Sequence, residues 1–192
     1  MKIQNWKMNE IKSKKNDAHK TIYFVSKNKL ADNKADKLII SSSYQGDWKD
    51  DLWHGFGDLS YKNGDLYSGQ WFHNMRQGNG TLWIMSQRKK LLWSYVGQWQ
   101  QDQKEGRGTM FYSNGDKYDG FWYQNKKSGF GIYVFANNDI YIGSWRQDQR
   151  NGYGVFLKTN KEIFEGHWIN DQKEGPGSYL FLAQKKVLIG EW

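Results

Sequence analysis

The sequence predicts an all-β protein, an elongated single-layer antiparallel sheet of consecutive β-hairpins with a period of 23 residues. Three observations carry that prediction. A pentad of the form aromatic-x-Gly-x-Trp recurs in phase. A Gly-x-Gly pair follows each of its tryptophans at a constant interval. Beyond each pair, apolar and polar residues alternate with the two-residue period of a strand.

The pentad is carried by Tyr44, Gly46 and Trp48, then by Tyr67, Gly69 and Trp71, and by Tyr95, Gly97 and Trp99. It returns at Tyr118, Gly120 and Trp122, at Tyr141, Gly143 and Trp145, and at Phe164, Gly166 and Trp168. The first aromatics stand 23, 28, 23, 23 and 23 residues apart, and a weaker copy at Leu188 closes on Trp192. The pairs are Gly55/Gly57, Gly78/Gly80, Gly106/Gly108, Gly129/Gly131, Gly152/Gly154 and Gly175/Gly177, each beginning seven residues after its tryptophan. Such self-similarity is the mark of a repeat architecture, in which one supersecondary unit stacks on the next.

Each unit holds two strands. In Tyr118–Trp122 the aromatic, the glycine and the tryptophan share one face of a strand. Two residues past the second glycine stand Leu59, Leu82, Met110, Tyr133, Phe156 and Tyr179, all apolar or aromatic. Lys62-Asn63-Gly64-Asp65 and Ser113-Asn114-Gly115-Asp116 read as hairpin turns, with Asn-Gly tolerating the positive φ they require. The stretch between each Trp and its first glycine reads as a polar loop, except in the first copy, which has Leu52 and Trp53. Each Gly-x-Gly pair then reads as the opening of a strand. The glycines have a mechanical reading: a strand without β-carbons lets a neighbouring ring lie flat on the backbone. A single layer then buries its own aromatic face, each repeat adding about 9–10 Å of sheet.

Composition agrees. Aromatics make up 17% of the chain while all hydrophobic residues reach 38%, too few aliphatics for a layered core. With 21 Gly and one Pro, glycine makes the turns. The absence of cysteine rules out disulfides and thiolate chemistry and favours a reducing, intracellular setting. No apolar run approaches the roughly 20 residues of a membrane span, and no signal peptide is legible at the N-terminus.

The net charge of +8 is uneven. Residues 1–40 hold ten lysines against four acids, which is 10 − 4 = +6 and leaves about +2 for the repeats over 41–192. This arm has two readings, a solvated basic segment or a degenerate first repeat in which Trp6 takes the tryptophan place and Thr21–Val25 a strand. Ser41-Ser42-Ser43 reads as a junction. The 28-residue step contains a five-residue insertion, placing Trp83, Trp93 and the basic tip Arg88-Lys89-Lys90 outside the common surface. It reads either as a longer turn or as a candidate partner contact.

The full repeat, Y-x-G-x-W-x(6)-G-x-G-x(5)-N-G-D, resembles the MORN repeat over residues 44–192. The resemblance implies the hairpin ribbon and a non-enzymatic scaffold. Similar proteins work in cytoskeletal assemblies, among them ciliary and flagellar axonemes with their radial spokes and doublets, and at cytoskeleton–membrane junctions. The expected partners are therefore other subunits of such a complex, with an anionic lipid met through the basic arm as the alternative. The last copy departs from the motif, and an open sheet edge at Trp192 calls for a partner or further chain.

The chemistry-bearing residues have plainer readings. His19, His54, His73 and His167 form no metal-ligand spacing. The Gly-x-Gly pairs lack the strand–turn–helix setting of a phosphate cradle. Asp47, Asp65 and Asp116 suit turns and exposed strands better than acid–base pairs, since a one-layer sheet rarely makes a pocket. The aromatics are needed by the sheet and the body is nearly neutral, which argues against single-stranded nucleic acid. No catalytic residue, cofactor or metal is expected.

Overall fold

The computed structural model describes residues 20–28 and 37–192. Among these residues fourteen strands form one open antiparallel sheet in which every strand lies beside its neighbours in sequence. They are β1 (Lys20–Asn28), β2 (Lys37–Lys49), β3 (Leu52–Ser60), β4 (Leu66–Phe72), β5 (Met75–Met85), β6 (Leu91–Gln100) and β7 (Gln103–Phe111). The series continues with β8 (Lys117–Tyr123), β9 (Lys126–Val134), β10 (Ile140–Arg146), β11 (Gln149–Leu157), β12 (Glu162–Ile169), β13 (Gln172–Phe181) and β14 (Lys186–Glu191). Contacts divide the chain into two units, one running to Ser94 with Trp99–Asp102, the other comprising Tyr95–Gln98 and Gln103–Trp192.

The repeated pentad supplies the core. Tyr44, Tyr67, Tyr95, Tyr118 and Tyr141 are fully buried, Phe164 is 2% exposed, and the six pentad tryptophans are buried beside them. Their strands alternate, so Tyr118 and Trp122 are buried while Asp119, Phe121 and Tyr123 are exposed on the reverse face.

Two glycines of each repeat make room for the ring. Gly120 pairs with Gly131 across β8 and β9, and a β-carbon on either would overlap the Tyr118 ring lying over them. The ring belongs to the pentad's first aromatic, and it covers a glycine of its own strand as well as one on the adjacent strand. The other glycine, Gly129, has φ +65° and lies in a bulge. There the register passes from Gly120–Gly131 to Trp122–Lys127, so residues 128–130 oppose Phe121 alone. The same shift recurs in β2–β3, β4–β5, β10–β11 and β12–β13.

The two members of a Gly-x-Gly pair therefore differ, and neither opens a strand. β5 begins at Met75 and β11 at Gln149, which puts Gly80 and Gly154 in mid-strand rather than at the strand start that the sequence suggests. The reason is that the stretch ahead of them is already paired: Met75 lies opposite Phe72, and Gln149 opposite Arg146. Gly80 faces Gly69 beneath the Tyr67 ring, and Gly154 faces Gly143 beneath the Tyr141 ring. Their companions Gly78 and Gly152 take φ +68° and +102° in the bulge and bear no ring.

The turns also differ from the sequence expectation. The stretch after each tryptophan is strand plus a two-residue turn, with positive φ at both positions: 48° and 67° at Gln124 and Asn125. That is a type I′ geometry, which asparagine and aspartate tolerate at low cost. The Asn-Gly stretches make the looser connection. Gly64 N–H donates to the Tyr61 carbonyl and Tyr61 N–H to the Asp65 carbonyl, with Gly64 at φ +92°. This is a type I turn followed by a left-handed residue, and Lys89, Asn138 and Lys161 stand in the corresponding place elsewhere. Further upstream, Thr21–Val25 lies within β1, which pairs with β2, and Ser41–Ser43, expected as a junction, lies within β2, where the register slips from Phe24–Ser42 to Val25–Ile40. The tryptophan assigned to a degenerate repeat, Trp6, lies outside the described residues.

The ring seat gives a direct test. Gly131→Ala must displace the Tyr118 ring or part the two strands, an overpacking cost of about 3 kcal/mol. Phe130→Ala removes an exposed side chain one residue away and costs under about 1 kcal/mol. Urea denaturation followed by tryptophan fluorescence should show a much lower midpoint for Gly131→Ala alone. Equal midpoints for both variants would remove the ring seat as the controlling constraint.

Candidate interaction faces

The ring face is built in layers. Each buried tyrosine hydroxyl donates to the carbonyl three residues on, from Tyr44 to Asp47 at 3.1 Å through Tyr118 to Phe121 at 3.0 Å. The tryptophan of the following repeat packs edge-on against it, with centroids 5.5 Å apart for Tyr44–Trp71 and 5.4 Å for Tyr118–Trp145. That tryptophan donates its indole N–H to the carbonyl of the second glycine, Trp71 to Gly57 and Trp122 to Gly108, both at 2.9 Å. Gly80 and Gly154 serve in the same way, accepting from Trp99 and Trp168, both at 3.3 Å. Trp192 stands edge-on to Phe164 at 5.2 Å, so the weak last copy still supplies its ring.

A row of cations covers these rings. Arg76, Lys104, Lys127, Arg150 and Lys173 stand five residues beyond their tryptophans. The Arg76 guanidinium lies 4.1 Å from the Trp99 ring, the Lys127 ammonium 4.2 Å from Trp145, and Arg150 4.2 Å from Trp168. Each such contact contributes about 0.5–2 kcal/mol, more when water is excluded. Burial pulls the Lys127 ammonium below the usual lysine pKa, against the attraction of Asp148. In the first repeat Trp53 takes this place and stacks on Tyr44 at 4.6 Å, which accounts for its departure from the polar pattern. The row is visible in the sequence as Lys or Arg at constant phase, but the stretch reads there as a loop.

Turn side chains join neighbouring hairpins at both ends of the strands. Asn74, Asp102, Asn125, Asp148 and Asp171 occupy the second turn position. Each accepts the N–H of the residue at the cation position one repeat earlier, from Trp53 N–H to Asn74 at 2.7 Å to Arg150 N–H to Asp171 at 3.0 Å. Arg76 and Arg150 also pair with Asp102 and Asp171, both at 2.9 Å. At the opposite end Asp65 accepts Met85 N–H, Asp116 accepts Ala136 N–H and Asp139 accepts Thr159 N–H, each at 2.8 Å. Asp47 caps the first bulge by accepting Phe56 N–H at 2.9 Å. The three aspartates considered for acid–base work are therefore structural acceptors.

The shifted tyrosines and Asp116 move away from neutral pH, whereas Lys127 and Lys173 move toward it. Burial raises Tyr44, Tyr67, Tyr118 and Tyr141, and pushes Tyr112 up to about 12. Burial also raises Asp116, but hydrogen bonds from Tyr133, Asn114 and Ala136 outweigh it and lower the carboxyl overall. Among the described residues no group of three or more His, Asp or Glu side chains is placed to hold a metal ion, and no helix is long and apolar enough to cross a membrane. His54 lies 6.0 Å from His73 beside Phe72, while His167 meets Tyr153 edge-on at 5.5 Å.

The reverse face holds what pentad reasoning missed. Phe56, Phe72, Phe121, Tyr123, Phe130, Ile132 and Tyr153 are all exposed, at 38–64%. They occupy the x positions of the motif, which pattern matching treats as free. The insertion lengthens β5 and β6 and ends in the standard turn, where Ser86 N–H donates to the Lys90 carbonyl at 2.9 Å. Arg88, Lys89 and Lys90 are brought together there, exposed. Trp93 is 59% exposed on β6, and the half-buried Trp83 pairs with Leu66 on β4. The five extra residues thus lengthen the hairpin β5–β6, as the 28-residue step implies.

The MORN repeat profile matches residues 44–66, 67–85, 95–117, 118–140, 141–162 and 164–181, which together span more than half of the chain. The chain belongs to the MORN repeat family. MORN boundaries in the profile begin on the pentad aromatics and leave β1 and β14 outside. No curated protein sequence matches the chain. Among solved structures, the chain resembles the TCP domain of SAS-4 (dCPAP) from Drosophila melanogaster, solved in complex with a proline-rich motif of Ana2 (dSTIL). The identity is 12%, the match covers 88% of this chain and 90% of that one, and the TM-score is 0.45.

The buried phenols fix an alkaline response. Unfolded tyrosine ionises near pH 10 while the folded phenols ionise higher. The folded state then binds more protons, so stability is intact below pH 10 and falls as pH rises through the folded values. Tyrosinate absorbance of the buried class and loss of β circular dichroism should appear together above pH 10. Ionisation of all tyrosines near pH 10 with the sheet intact would contradict the burial.

Proposed function

We propose that this MORN repeat protein is a non-enzymatic scaffold in a large cytoskeletal assembly, a ciliary or flagellar axoneme component such as a radial-spoke or doublet-associated subunit. The observation that supports a scaffold is the division of labour between the faces. The pentad aromatics bury one another on the ring face, while the reverse face leaves Phe121, Tyr123, Phe130, Ile132 and Tyr153 exposed. Exposed apolar area of this kind marks interaction surfaces. Within the family we take MORN repeat-containing protein 3 as the nearest kind, on the longer hairpin before Tyr95 and the irregular unit ending in Trp192. The cytoplasmic, axonemal location is part of the same proposal.

A second reading rests on charge. The +6 of residues 1–40 suits an anionic membrane surface, at about 1 kcal/mol per basic residue near the headgroups. Flotation with phosphatidylserine vesicles at low salt, with and without residues 1–40, separates the two. Flotation lost with the arm supports lipid tethering, and no flotation of the full chain removes it.

The scaffold reading is tested by affinity capture from ciliated cells followed by mass spectrometry, with salt-washed axonemes as the fraction of interest. Axonemal subunits should be recovered. Trp93→Ala, or Arg88→Glu with Lys89→Glu and Lys90→Glu, should weaken recovery several-fold at an unchanged denaturation midpoint. Unchanged recovery would take the extended hairpin out of the contact.

A further inference from the structure

One strip of the reverse face has a distinct shape. Val134, Ile140, Leu157, Ile163, Leu180 and Val187 are successive cross-strand partners from β9 to β14. They put an aliphatic side chain on six neighbouring strands in one line across the sheet. Two residues along the strands, Ile132, Ile142 and Val155 form a parallel line over β9–β11. That second line then meets Glu165 and Ser178. Six strands at about 4.8 Å make the strip about 24 Å long, and two residues of strand make the lines about 7 Å apart. None of these side chains takes part in the ring layers of the other face.

The geometry points to an amphipathic α-helix of a partner protein lying across the strands on this strip, with a lysine or arginine of the helix meeting Glu165. This deepens the scaffold proposal and rests on it. A helix is about 10 Å wide and rises about 5 Å between apolar residues three or four apart, close to one residue per strand. A helix of about 16 residues spans the strip. A second copy packed face to face would cover polar neighbours as well, since the line beyond the shorter one contains Ser144, His167 and Glu191. An added strand would need backbone groups, which the middle of a paired sheet no longer offers. Charge around the strip is mixed, with Glu165 and Glu191 on the same face as Lys117 opposite Val134, and so lacks the basic cluster an anionic membrane would need. Glu165 is exposed and accepts the Tyr153 hydroxyl, which holds its carboxylate in place beside Val155.

The probe is an 18-residue helical peptide with leucines at positions 3, 7, 10 and 14 and lysines beside them, titrated into the full chain by NMR and fluorescence anisotropy. Shifts should concentrate on the strip residues of β9–β13, and a scrambled peptide of equal composition should bind at least tenfold more weakly. Leu157→Lys should weaken binding at least tenfold with the denaturation midpoint retained. Ile142→Lys is the second variant should the first lose its fold. Glu165→Lys should weaken the lysine peptide several-fold and favour a peptide carrying glutamates at the same places. Equal binding of the scrambled peptide, shifts on the ring face, no binding at millimolar peptide, or no charge exchange at Glu165 would each overturn the proposal. A dimer in sedimentation that Leu157→Lys dissolves would overturn it in favour of a second copy. Axonemal subunits captured equally well by Leu157→Lys would sink the strip and leave the scaffold standing, whereas no subunits captured by the unaltered chain would sink the scaffold.

Discussion

The pentad tyrosine ring lies over two glycines, one on its own strand and one on the next, and the other contacts of the repeat are placed by that seat. It fixes the ring flat on the sheet, so its hydroxyl meets the carbonyl three residues on. It leaves the ring edge open to the indole of the following repeat, which in turn bonds the carbonyl of the ring-bearing glycine. A single-layer sheet has no second layer to cover its apolar face. Here the face closes on itself because the missing β-carbons let the aromatic side chains lie in the plane where a second layer would begin. Phe164 shows that the ring, more than the hydroxyl, is what the seat requires.

Cohesion along the sheet then comes from many modest contacts. Neighbouring hairpins are tied by an aspartate or asparagine at one end and, at three of the turns at the other, by Asp65, Asp116 or Asp139, worth about 1 kcal/mol per neutral bond and more where a charge takes part. The cations over the tryptophans add a similar amount each. Repetition makes these increments count, since a repeat protein's stability is close to a sum of unit and nearest-neighbour terms. The cation and the turn carboxylate also work together: Arg150 lies over Trp168 and pairs with Asp171. One side chain thus links the tryptophan and the turn of the following repeat.

Period, hairpins and ring seat were legible in the sequence because they depend on residues with few substitutes. Only glycine admits the Tyr118 ring, so Gly120 and Gly131 stand out in any reading. What the pattern could not separate was the two glycines of a pair. Gly78 and Gly80 look alike as letters, and only the register tells the bulge from the ring seat. The turn ends were harder. Gln124-Asn125 carries no glycine, yet both residues take positive φ in a tight turn, because the preceding hairpin, at Lys104, supplies the hydrogen bonds that hold them. The cation row was hidden for the same reason, since Lys127 reads as solvated until the indole above which it lies is known. On the reverse face, Val134, Ile140 and Leu157 are separated in sequence by turns and come into line only through the register of β9–β11.

Where the repeat is satisfied internally, it has little left with which to distinguish partners. The ring face offers much the same layers at every step, so a ligand reading it would meet similar chemistry over and over. Discrimination therefore belongs to positions the repeat leaves free, the x residues and the departures from period. The x residues differ from unit to unit: Asp119 and Phe121 in one, Ile142 and Ser144 in the next, Glu165 and His167 after that. Because the ring seat carries the fold, these positions can vary without loss of the sheet. The aliphatic line from Val134 to Val187 is a feature of the second unit's sequence more than of the motif. The same constraint that makes the repeats alike on one face leaves the other free to become specific.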